Sequence, residues 1–300
     1  MKRAISISLG SSQRDKKAEI ELLGEKVSLE RRGTDGYIAK ATALFTELDG
    51  QYDAFGVGGI DLWVQMGAKR YNIRAAQQLV KNVKITPYVD GSGLKNTLER
   101  QVVPVMIAEL GPEYGSGQAF VILGVDRYGM SLSFAEHGYD CVFGDLMFAL
   151  GVPIPIHGMK WLNRVAKIMV PIGTKLPISV IYPTGEKQEE IVPKFGKWYA
   201  WGSVIAGDCH YIKRHMPNDL QGKTIVTNTT TEEDMELFRR RGVKYMVTST
   251  PVLNGRSFGT NMMEAALTAV AGKGRALTHA ELDEMLLELD MKPTIHKLGD

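Results

Sequence analysis

The chain lacks most of the marks that assign a protein quickly. It has 2 cysteines in 300 residues, Cys141 and Cys209, far apart and without metal-ligand spacing. That excludes a disulfide scaffold and a cysteine-built zinc site. No His/Cys/Asp/Glu group has zinc spacing either, so no metal is expected. A formal net charge of +2 leaves no field to attract nucleic acid. The opening MKRAISISLGSS is too short and polar for a signal peptide, and no uncharged run reaches membrane-spanning length. A cytoplasmic protein is the expectation. Acid is missing from one place in particular: 146–182 is a 37-residue stretch without Asp or Glu, charged only by Lys160, Arg164, Lys167 and Lys175. It reads as an apolar insertion packed within the protein or between the subunits of a homodimer, with membrane-surface contact as the alternative.

What is present suits a soluble enzyme with sizeable cores. Short apolar runs alternate with helical patterns, which implies two α/β domains, the C-terminal one Rossmann-like with a mostly parallel sheet. The punctuated segment Gly111–Gly117 marks the boundary. Residues 1–112 form the substrate domain and 118–272 a nucleotide-binding domain containing the 146–182 insertion. A helix and tail follow over 273–300. One helix is expected over Leu94–Leu110, kinked at Pro104, and another over Ile73–Asn82.

The stretch 119–145 carries the strongest motif. Ala119–Leu123 is a buried-strand run, Gly124 and Gly129 bracket a four-residue turn, and a helix beginning near Met130 leads to a strand that ends at Asp145. Asp145 lies 21 residues beyond Gly124, where a dinucleotide site places the acid that binds a ribose 2′-hydroxyl. The middle glycine of the usual fingerprint is replaced by Asp126, whose charge Arg127 would offset. NAD or NADP is the implied cofactor, and Asp145 favours NAD. An ordinary βα turn without ligand is the alternative.

Ligands of open α/β sheets bind beyond the carboxyl ends of strands, so polar clusters there are the candidate site. Asp90 and Lys95 form the acid/base candidate, since a lysine at a helix start is electrostatically misplaced and suited to proton transfer. Ser11, Ser12, Asp61, Asn96, His210, Arg256 and Asn261 are candidate substrate contacts, and Asn228 and Thr229 candidate cofactor contacts. The charged run Thr184–Glu190 is either a turn with a helix start or a lid over substrate.

Five strings extend the argument: SLGSSQRDKK at 8–17, VDGSGLKNTLER at 89–100, YPTGEKQEE at 182–190, TNTTTEED at 227–234 and GRSFGTNMMEA at 255–265. Through them most of the chain resembles bacterial quinate/shikimate 5-dehydrogenase-like proteins. The resemblance implies a lysine and an aspartate that handle a hydroxyl proton while hydride moves to a nicotinamide. Lys95 and Asp90 are similar to that pair in chemistry. The expected function is NAD(P)-dependent hydride transfer to or from a small polyol or hydroxy acid in an interdomain cleft. A non-redox lyase or transferase acting on a phosphorylated or carboxylated metabolite, and a nucleotide-sensing protein, are the alternatives.

Overall fold

The computed structural model describes residues 1–67, 69–176, 191–250, 252–253 and 256–299, with the backbone alone at 252–253 and 256–257. The chain is a mixed α/β protein of two units. One holds Met1–Thr97 and Leu253–Met291, with the stretch that begins at Val170. The other holds Leu98–Met169, the residues up to Val252, and the C-terminal strand.

The first unit is built on strands β1 (Lys2–Ser8), β2 (Lys16–Leu22), β3 (Glu25–Gly33), β4 (Ala54–Gly58) and β7 (Tyr88–Val89), in the order β2-β3-β1-β4-β7. All pairs are parallel except the β2–β3 edge. A separate hairpin of β5 (Trp63–Met66) and β6 (Lys69–Asn72) is antiparallel. Side chains alternate across a strand. Phe55 and Val57 therefore pack with Ala41 and Phe45 of the Ile38–Glu47 helix on one face. Gly56 and Gly58 present the other face to the Thr260–Ala271 helix. There a Cβ on Gly56 would stand 2.7 Å from the Asn261 carbonyl oxygen, so the helix can lie this close only because the side chain is missing.

The second unit has β8 (Gln118–Val121), β9 (Asp140–Phe143), β10 (Ile156–His157), β11 (Val204–Ala206), β12 (Thr224–Thr227), β13 (Tyr245–Thr248) and β14 (Thr294–Lys297). The order is β10-β9-β8-β11-β12-β13-β14, parallel throughout except at the two edges. Ala119 and Val121 enter one core with Met106, Phe134 and Val247, while Phe120 and Ile122 enter another with Ile205, Ile225 and Met246. The sheet is apolar on both faces, as a covered parallel sheet requires. From β8 the chain crosses to β9 on one side, and from β11 to β12 on the other. The carboxyl ends of β8 and β11 therefore form the topological switch point.

Four expectations are corrected. The boundary falls at Thr97/Leu98, not at Gly111–Gly117. That segment is instead a turn, Pro112–Gly115, after the Val102–Leu110 helix, whose Val102, Val103 and Met106 sit in the second unit's core. Residues 253–291 return to the first unit because the Thr260–Ala271 helix buries Met262, Met263, Ala265 and Ala266 there, and the tail adds β14 rather than standing apart. The expected 94–110 helix is three pieces, Ser92–Asn96, Leu98–Gln101 and Val102–Leu110. Pro104 falls in the first turn of the last piece, where no amide donor is needed, so it kinks nothing. Only Arg74–Gln77 of the expected 73–82 helix is α-helical.

Candidate functional site

The loop after β8 binds its own chain. Gly124 and Val125 donate their amides to the two oxygens of Asp145, each at 2.9 Å, and Ser131 Oγ donates to the Gly124 carbonyl at 2.9 Å. A Cβ on Gly124 would lie 2.4 Å from the Phe143 ring. Asp145 opens the Asp145–Ala149 helix, and burial pushes its carboxyl up to about 6 against the pull of the two amides. The donors a diphosphate needs are thus already taken, and by the residue expected to bind ribose. Met130 and Gly129 are buried within the Tyr128–Glu136 helix, Met130 in the apolar core. This loop does not fit a dinucleotide, and the cofactor assignments of Gly124, Gly129, Met130 and Asp145 are corrected on that ground.

The switch point beside it holds a buried ionic network. Arg127 Nη1 donates to Glu99 Oε1 at 2.6 Å and Nη2 to Asp208 Oδ2 at 2.9 Å, while Nε lies 3.2 Å from Asp126 Oδ2. Burial opposes the guanidinium charge, but Glu99, Asp126 and Asp208 outweigh it and hold Arg127 protonated. Asn228 donates to Asp208 at 2.9 Å and accepts from the Cys209 amide at 3.2 Å, and Thr229 bonds Thr250 at 3.0 Å. Asp208 also caps the Cys209–His215 helix through the His210 amide, leaving His210 on the surface. Asp126, Arg127 and Asn228 do converge, as members of one ionic network centred on Arg127.

The first unit places an acid/base pair at the carboxyl edge of its sheet. Lys95 Nζ lies 3.0 and 2.9 Å from the oxygens of Asp61, with the side chains 9% and 17% exposed. Asp61 follows β4, and Lys95 sits on the short Ser92–Asn96 helix after β7. Asp90, expected beside Lys95, has another task. One oxygen accepts from the Leu62 and Trp63 amides at 2.6 and 3.3 Å, the other from the Ser92 amide at 3.0 Å and Ser92 Oγ at 2.5 Å. Trp63 Nε1 donates in turn to Ser92 Oγ. Asp90 therefore fixes segment 61–63 against the lysine's helix and so positions Asp61; the dyad is Lys95–Asp61.

Beneath that helix lies Glu264, which no sequence argument singled out. It accepts from the Gly93 and Leu94 amides at 2.9 and 3.3 Å. Burial first, then the Asp90 charge, pushes its carboxyl up to about 8. The available signal was a lone acid inside the apolar helical run Met262–Leu267.

The remaining described candidates are hydrogen-bonded within the chain. Ser11 caps the turn at Ser12–Arg14 by accepting from the Gln13 amide at 3.2 Å, and the Ser12 amide donates to Asp35 at 2.7 Å. Asn96 donates to the Ser92 carbonyl at 2.8 Å, and Asn261 to Ser6 Oγ at 2.6 Å. The Arg256 side chain and the run Thr184–Glu190 lie outside the described residues. Nearby, a cleft of about 350 Å³ is lined by Trp63, Arg70, Lys84, Tyr88 and Arg275 among others, with Arg70 stacked 3.2 Å over the Trp63 ring. It carries the cations Arg70, Lys84 and Arg275, the last of them paired with Glu281 at 2.8 Å. No group of three or more His, Cys, Asp or Glu able to hold a metal occurs among the described residues.

A family model described as "Domain of unknown function (DUF8754)" matches residues 93–298, and a second, "Domain of unknown function (DUF8753)", matches residues 3–90. No curated protein matches the chain. Among solved structures, an ABC-transporter solute-binding protein from Burkholderia multivorans, holding an unknown ligand built as α-D-erythrofuranose, is 10% identical with a TM-score of 0.38. That match covers 98% of this chain and 97% of the other. A Mycobacterium smegmatis structure is 12% identical with a TM-score of 0.36, covering 99% and 91%. Another from the same organism, in complex with β-D-fucofuranose, is 11% identical with a TM-score of 0.32, covering 99% of each chain. At these scores the likenesses establish neither a common fold nor a common ligand.

Proposed function

The chain belongs to the family matched over 93–298, and we propose that it is an acid–base enzyme of the non-redox, lyase-like kind, acting on a small hydroxy acid or polyol. The observation that carries this reading is the Lys95–Asp61 pair, nearly buried at the carboxyl edge of the first unit's sheet. A carboxylate bound to a lysine in a site that is nine-tenths dry for the lysine is organised to pass a proton. Asp61 accepts the proton of a substrate hydroxyl, and the Lys95 ammonium stabilises the oxygen that loses it. Asp90 holds the pair in register through Leu62, Trp63 and Ser92. Arg70 and Lys84, in the cleft that Trp63 also lines, favour a carboxylated or phosphorylated substrate.

The Rossmann-like reading of the second unit is kept as architecture, supported by its doubly wound strand order. Hydride transfer to a nicotinamide is not part of the proposal, because the loop expected to hold that cofactor is filled by Asp145.

A thermal-shift panel of hydroxy acids, polyols and nicotinamide nucleotides tests the proposal. Stabilisation by a hydroxy acid or polyol, lost in both Lys95→Met and Asp61→Asn, is the expected result. Stabilisation that survives both variants removes the ligand from the dyad. Stabilisation by NAD(H) or NADP(H) reinstates the redox reading.

A further inference from the structure

The acid-free stretch is only partly absorbed by the fold. Its Gly158–Gly173 helix buries Leu162, Ala166 and Val170, yet Trp161, Ile168 and Ile172 are 55%, 67% and 57% exposed. At 3.6 residues per turn these three fall within about 40° of one another, on the side away from the buried face. Lys160, Arg164 and Lys167, all exposed, span about 60° directly beside them. Arg164 lies 4.6 Å over the Trp161 ring. In the loop before the helix, Leu150, Val152 and Ile154 are also exposed. The surface is thus an apolar stripe edged by cations, from a stretch with no carboxylate of its own.

We infer that this helix docks on an anionic lipid surface, lying flat with Trp161 and Ile168 at the headgroup boundary and Lys160, Arg164 and Lys167 on the lipid charges. A helix that lies in a membrane interface carries an apolar face with tryptophan, bordered by lysine and arginine. The charge pattern decides between occupants. A second copy of the chain brings the same cations and no acid from this stretch, so pairing stripe to stripe sets like charges together. An anionic membrane neutralises them. No helix among the described residues is long and apolar enough to cross a membrane, so the contact is peripheral.

The test is co-sedimentation of the full chain with phosphatidylcholine vesicles, with or without about one-third phosphatidylserine. The expected result is binding to the mixed vesicles alone. Neutralising the cations (Lys160→Gln, Arg164→Gln, Lys167→Gln) should weaken it on the order of a hundredfold. Trp161→Ala with Ile168→Ser should weaken it as well. All five substituted side chains are exposed, so circular dichroism and melting temperature should stay unchanged. Binding to neither vesicle, equal binding to both, or undiminished binding by the neutralised variant overturns the inference. So does light scattering that shows a dimer which Trp161→Ala with Ile168→Ser dissociates.

Discussion

Lys95 holds both carboxylate oxygens of Asp61, at 3.0 and 2.9 Å, across 34 residues of sequence. The pair exists because β4 and β7 are neighbours in one sheet and their following loops meet at its carboxyl edge. Removing either member without refilling the charge should impair the proposed proton transfer before it abolishes folding. Lys95→Met is expected to lower turnover about 10²- to 10⁴-fold, with Asp61→Asn similar in size. Asp90→Asn should act less directly, raising KM and loosening segment 61–63, because Asp90 positions the pair without joining it. Steady-state kinetics on a substrate found by the thermal-shift panel separates the two patterns.

Glu264 makes stability depend on pH. Its carboxyl sits near 8 when folded against an ordinary 4.5, so the folded state prefers it protonated. The contribution is fully present below about 4.5 and is lost as pH rises through 8, because the unfolded chain gives up the proton first. Glu264→Gln copies the protonated form and should flatten the decline between those limits. Melting temperature measured across the window checks this, and an unchanged slope would show that Glu264 is ionised in the folded protein.

Gly93→Ala should destabilise the same region. The added Cβ would lie 2.6 Å from both Glu264 Oε1 and Leu282 Cδ1, an overpacking that costs about 1–3 kcal/mol. Urea unfolding gives the number.

Arg127→Met should be severe. It strands Glu99, whose side chain is 1% exposed, and loss of one partner of a buried ion pair costs about 3–5 kcal/mol. Adding Glu99→Gln to that variant should restore part of the loss, since no buried charge then remains at that position. A double-mutant cycle in urea reads the difference.

Asp145→Ala should expose the Gly124 and Val125 amides to exchange and cost about 1–3 kcal/mol, the range for leaving buried donors without acceptors. Hydrogen exchange at those two amides is the direct check. Protection that survives the substitution would mean another group already satisfies them.

Much of the architecture was legible in the chain itself. Alternating apolar runs and helical patterns, with glycine or polar residues at strand ends, identify an α/β protein. Lys95, expected at a helix start, instead lies in the last turn of the Ser92–Asn96 helix, where a cation is not misplaced. The importance of Asp61 was half-visible, as one of several polar residues after a strand. The pairing of Asp61 with Lys95 was not, and Asp90 is nearer to Lys95 in sequence, which made it the natural partner on paper. Glu264 left only a faint trace, one acid in an apolar helix.

Local sequence placed most of the strands, because side-chain periodicity and turn residues act over a few positions, but it misjudged the helices over 73–82 and 94–110. It does not determine which loops meet. The spacing from Gly124 to Asp145 suits a ribose-binding acid and an acid that folds back on its own loop equally well; the tertiary structure shows the second, with the Gly124 and Val125 amides on Asp145. In the same way, parallel order in the sheet brought Asp61 to Lys95, and the return of residues 253–291 put Glu264 under that helix. Charge pairing depends on distance in space, and that distance is set by strand order, which no short stretch of sequence encodes.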